Sequence, residues 1–220
     1  MRTRPFLAPA ALVCLLTPSH PCSGETGAPG AVRCVFVDPF SSASFAFAGM
    51  SREAREILEH VGVQTVWREE AGVPASRDGN EVFLILLRRP AGTLPPRTLG
   101  AVMRSSAPNA WLYSGTITDI LGLDPNDLGG WTDVQRIDFA RALGRVAAHE
   151  LVHLLLPALP HSHAGLMRPT VARRDLIHDA VTLDASVKNA FAGWAAGTSG
   201  VPHVAHAGEP VGAPTAMTAW

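Results

Sequence analysis

His149 and His153 stand four residues apart in the segment HELVH, with Glu150 directly after the first. On a helix, four residues overshoot one turn by about 40°, so both imidazoles leave the same face. Their ring nitrogens then reach a single ion at roughly 2.0–2.1 Å, the ordinary zinc–histidine distance. Glu150 points in a neighbouring direction and meets a water at such an ion without binding the ion itself. That is a hydrolytic arrangement, with Glu150 as general base. A catalytic zinc keeps one position open and takes three protein ligands, so one more must come from elsewhere. His161 and His163 follow a Pro-kinked link, PALP, that can turn the chain back under the helix; Asp175 and Asp179 are the carboxylate alternatives.

The spacing predicts the helix that must hold this pair. Thr132-Asp-Val-Gln135 matches a capping box. Ile137, Ala140, Leu143, Ala147, Leu151 and Leu154 form one apolar stripe. Pro157 ends the run near Leu156. The histidines therefore sit in the last turns of a helix of about 22 residues. Their neighbours Val146, Ala147, Leu151 and Leu154 to Leu156 are apolar, so the site is buried. Burying two histidines and a glutamate without partners is costly, and a bound metal removes that cost. We therefore expect one catalytic zinc ion.

Upstream, the pattern predicts strands at 32–37, 63–67 and 81–87, and weaker ones at 100–103 and 110–116. Between the first two, Ser51 is the expected N-cap of a helix running to Val61, with Gly62 as its stop. Another helix is expected over 184–194. The order of elements implies an α+β fold: a mixed twisted sheet with a backing helix, an active-site helix and a small C-terminal subdomain.

The stretch HELVHLLLPALPHSHAGLMRP resembles the metzincin metallopeptidases, most closely the matrix metalloproteinase version. Their signature is H-E-x-x-H-x-x-G-x-x-H, followed by a tight turn with a methionine beneath the zinc. It is also similar to a group of small uncharacterised bacterial proteins that share HExxHLLL, HSxxG and a Leu/Ile-Met pair, with a Gly-Val and a Trp upstream, here Gly62-Val63 and Trp67. The resemblance covers about residues 32–195, with its specific part at 149–169. It implies His161 as third ligand, His163 being the runner-up, and Met167 as the turn methionine. It also implies a zinc metalloendopeptidase acting on a peptide or protein, with a zinc-activated water and Glu150 as base. An extended substrate would pair with a sheet edge, for which Trp111–Thr116 is the candidate. One departure is plain. The link from His153 to His161 has seven residues where the signature has five, so Pro157 replaces the usual glycine near the bend. No tyrosine follows Met167; the only tyrosine is Tyr113. The alternative reading is a non-catalytic zinc-binding protein on a peptidase fold.

Composition narrows the partners. Of 220 residues 47% are hydrophobic and 17% charged, and the net charge is -1, which suits a packed domain and gives no basic stripe for nucleic acid. No stretch is long and apolar enough for a membrane span, and nothing fixes an oligomeric state. Arg2, Arg4 and a short apolar run to Leu16 read as a signal peptide over 1–24, implying a secreted or periplasmic protein. A linker at 25–31, the domain at 32–195 and a disordered Gly/Pro/Ala-rich tail at 196–220 complete the expected organisation. Of the three cysteines, Cys14 and Cys22 fall in the signal; Cys34 is expected to be a buried strand residue and only a remote candidate to cap the zinc.

Overall fold

The computed structural model describes residues 31–72, 81–103, 108–178, 180–195 and 215–219. The expected signal peptide, nearly all of the linker, and 196–214 of the expected tail lie outside them, as does Asp179.

A mixed sheet of seven strands carries the α+β fold. β1 (Val32–Val37) lies between β2 (Thr65–Glu70) and β3 (Glu81–Leu87), parallel to both, and β3 pairs in parallel with β5 (Asn109–Tyr113). β4 (Thr98–Met103) runs antiparallel to β5. Beyond it come β7 (Thr215–Ala219), antiparallel to β4, and β6 (Thr170–Val171), parallel to β7. The strand order is β2-β1-β3-β5-β4-β7-β6.

Alternation along the strands separates two apolar surfaces. Cys34, Phe36, Val82, Leu84 and Leu86 join the main core cluster, while Val35, Val37, Phe83 and Ile85 form a second, smaller one. The two longest helices, α1 (Phe47–Glu59) and α3 (Asp133–Leu155), pack into the main cluster. Arg145 of α3 locks them together. Only 6% exposed, it bonds Glu53 of α1 at 2.9 Å and the carbonyl of Asp175 at 2.7 Å. At the other end of α3, Phe45, Trp131 and Phe139 form a ring cluster with centroids 5.3–5.9 Å apart. Shorter helices α2 (Ser114–Leu121), α4 (Arg173–Ile177) and α5 (Ala185–Ala195) complete the chain. Among the described residues no helix is long and apolar enough to cross a membrane.

The predicted capping box at Thr132 is present: Thr132 Oγ1 accepts from Gln135 N, and Gln135 Oε1 accepts from Thr132 N. Four expectations are corrected. α1 starts a turn before Ser51, because Asp38 accepts a hydrogen bond from Ala43 N at 2.6 Å and Phe47 stacks on Phe36. Ser51 is thus an interior, buried residue. Ile137 is 54% exposed; the buried stripe of α3 begins at Phe139. The strand expected over 110–116 stops at Tyr113 and gives way to α2, and it is not an edge, since β3 and β4 flank it. Within the expected disordered tail, Thr215–Ala219 is a strand of the main sheet, held by pairing on both sides.

Candidate metal centre

α3 delivers His149, Glu150 and His153 to the interior at 0%, 0% and 3% exposure. The chain leaves the helix through Leu156, whose N–H still bonds the carbonyl of Val152 at 2.8 Å, and Leu159 N bonds Leu156 O at 2.9 Å. Leu154, Leu155, Leu156 and Leu159 all pack on the core. The two extra residues of the link are absorbed in this apolar turn. It returns the chain so that His161 faces the pair.

The three Nε2 atoms converge. His149 and His153 are 3.1 Å apart, His153 and His161 3.1 Å, His149 and His161 3.3 Å. Tetrahedral coordination at about 2.0–2.1 Å sets neighbouring nitrogens about 3.3 Å apart, so the trio matches one face of a zinc tetrahedron. His149 Nδ1 lies 2.8 Å from the carbonyl of Leu166. That acceptor requires the proton on Nδ1, which leaves a lone pair on Nε2 pointing at the other two rings. Imidazole lone pairs crowded together repel unless a cation lies between them. Within the described residues these three are the one group placed to hold a metal ion.

Burial shapes the electrostatics. It pushes His149 down to about 3, with the nearby His153 and His161 adding to the fall and the Leu166 carbonyl opposing it. It takes His153 down to about 4, assisted by His161. His161 is lowered too, again by burial. All three rings are neutral at pH 7, the form that binds metal.

The turn after His161 is braced. Ser162 N bonds the carbonyl of Met167 at 2.8 Å, and Leu166 N bonds that of Thr182 at 2.9 Å. Gly165 has φ +68, and a Cβ there would come 2.3 Å from the Thr182 carbonyl. Met167 is 1% exposed in the core. His163 is exposed and outside the trio. Asp175 is engaged elsewhere, accepting from Ala172 N at 2.7 Å and pairing with Arg168 at 3.5 Å. Cys34 is 1% exposed with its thiol pushed up by burial, as befits a core residue.

Three residues near Glu150 were not singled out by the sequence reading. Gly100 of β4 lies against its side chain: a Cβ there would come 2.6 Å from Glu150 Oε1. An isolated glycine within a strand is a signal of such close approach. Tyr113 is fully buried with an unpartnered hydroxyl, and burial, then the charge of Glu150, push its phenol up to about 12. Met217 of β7 carries no such signal in the sequence. Neither oxygen of Glu150 has a hydrogen bond of ordinary geometry. Burial raises its carboxyl well above the usual range, and the backbone amide of Met217 partly opposes the shift.

No family model matches the chain, and no curated protein matches it by sequence. Its fold is similar to the crystal structure of a zinc-dependent peptidase from Methanocorpusculum labreanum (strain Z), with a TM-score of 0.52 at 12% identity. The match covers 72% of this chain and 99% of that one. It places this sheet-and-helix arrangement in the same fold.

Two outcomes are expected. Replacing Gly165 by Ala strains a left-handed position and collides with Thr182; it should cost at least about 1–2 kcal/mol and weaken metal binding, read by denaturant titration and by competition with a chelator. The second concerns the metal-free chain. Its histidines have folded pKa values below the unfolded value of about 6.5, so the unfolded chain takes up protons that the folded one refuses. Stability is then lost as pH falls from about 6.5 towards 4. Glu150, raised on folding, works the opposite way above about pH 4.3, but one carboxyl is outweighed by three imidazoles. Melting temperature in chelator should rise from pH 4.5 to 6.5, and more steeply for Glu150→Gln; a flat profile would contradict this burial.

Proposed function

We propose that the chain is a zinc-dependent metalloendopeptidase that holds one zinc ion on His149, His153 and His161 and uses Glu150 as its general base. The observation that carries this reading is the convergence of three Nε2 atoms to 3.1–3.3 Å, next to Glu150 on the same helix. The shared fold with a zinc-dependent peptidase supports it. The metzincin resemblance of residues 149–169 supports it further, with Met167 as the turn methionine that the resemblance implies.

A zinc ion bound there would supply Lewis acidity towards a carbonyl oxygen, acidify a water, and add positive charge that favours the ionised form of Glu150. The chain's own residues do the rest. Leu166 O fixes the His149 tautomer. Glu150 takes the proton of the attacking water and returns it to the leaving amine. The apolar walls exclude bulk water and strengthen each charge interaction. Peptide and protein substrates would bind extended, and the export-like start supports a secreted or periplasmic setting.

One observation favours the non-catalytic alternative: Glu150 is 0% exposed, where a working base must meet water. The variants separate the two. Purified protein should carry about one zinc per chain. His161→Ala should lose most of it, and Glu150→Ala should keep it while cleavage of a peptide library falls by at least about a hundredfold. Full zinc with equal cleavage by wild type and Glu150→Ala would remove the catalytic reading and leave the binding one.

A further inference from the structure

The cover over Glu150 is β7. In the ladder with β4, Met217 stands opposite Gly100, the residue whose missing side chain makes room for Glu150. Met217 is itself 2% exposed, and its amide faces the Glu150 carboxylate. On its other side β7 pairs with β6, Thr170 opposite Thr218 and Val171 opposite Ala219. β6 begins three residues after Met167. β7 is therefore a single strand lodged between β4 and the segment that follows the histidine-bearing turn.

Adjacent strands lie about 4.7–4.9 Å apart, so β4 and β6 are held about 9–10 Å apart by β7 alone. Without it, two unpaired edges would face each other across a slot as wide as one extended peptide, with Glu150 beside the Gly100 position. Met217 also helps line a cavity of about 270 Å³ with Leu166, Val171, Leu176 and Thr182. Every backbone hydrogen bond that β7 makes across these ladders is one an extended peptide of another sequence could make equally well.

We propose that β7 is a built-in occupant of the substrate slot, so that the chain as folded here is latent and gains activity when β7 leaves. The inference rests on the peptidase reading above and deepens it. It also accounts for a general base sealed from water: access to Glu150 and access to the slot are the same event. The peptide that replaces β7 enters antiparallel to β4 and places an unbranched apolar side chain where Met217 now sits.

The test compares three zinc-loaded proteins: the full chain, a chain ending at residue 214, and the full chain with Met217→Asp, which forces a charge into a 2% exposed position. Both altered forms should cleave a peptide library at least about tenfold faster, as the open fraction rises. A readout independent of activity accompanies this. Amide hydrogens of Thr98–Met103 should be protected in the full chain and exchange faster in the truncated one. A synthetic peptide of residues 213–220, APTAMTAW, should restore protection and inhibit cleavage. Equal cleavage by all three, or unchanged protection after truncation, would overturn latency and leave the peptidase reading intact. Loss of cooperative folding in both altered forms would show β7 to be ordinary scaffold and overturn it as well. No cleavage by any form, each with its zinc, would remove the peptidase reading and latency together.

Discussion

The structure is governed by one unfavourable fact, a polar helix end driven into an apolar core. The C-terminal half of α3 is buried on nearly every side, and it carries His149, Glu150 and His153 there. Buried imidazoles and carboxyls lose solvation that must be replaced by partners. The partners come from well separated segments: His161 from beyond the link, the Leu166 carbonyl from the turn after it. The packing that buries the site is apolar and unspecific in direction. The polar contacts fix the rotation and depth of α3, with Arg145 between Glu53 and the Asp175 carbonyl acting as a second anchor about one turn before His149.

The local parts of this arrangement were legible in the sequence because their causes are local. The capping box at Thr132, the stop at Pro157 and the four-residue spacing of the histidines depend on nearest turns alone. β1 and β3 were also legible, since strands covered on both faces read as unbroken apolar runs. His161 was legible through its resemblance rather than its spacing, and the longer link still brings it to the pair because the link's leucines pack on the core. What escaped was set by distance. The early start of α1 needs Asp38 to hold Ala43. The stretch at 114–116, Ser-Gly-Thr, has no strong local preference and turns into α2. Ile137 has the right period but lies beyond the part of the helix that the sheet covers.

β7 is the extreme case. The segment TAMTA has no periodicity long enough to announce a strand, and the residues just before it are glycine, alanine and proline. Its conformation is imposed by two partners, β4 and β6, that lie far from it in sequence. The edge of the site was misplaced for the same reason. The sequence places the edge at Trp111–Thr116, just upstream of the active helix. In the structure β4, β7 and β6 all lie beyond β5, and β4 brings Gly100 against Glu150.

The 2.8 Å contact between His149 Nδ1 and the carbonyl of Leu166 carries a thermodynamic consequence. An ion that fixed His149 would also fix the turn that accepts its hydrogen bond, and His161 would tie the start of the same turn to the same ion. Ordering this segment is then part of the binding free energy, and the binding free energy is part of the segment's stability. By that linkage an ion bound there would act as a rivet, and the apparent affinity for metal would become a measure of how well residues 161–168 are folded.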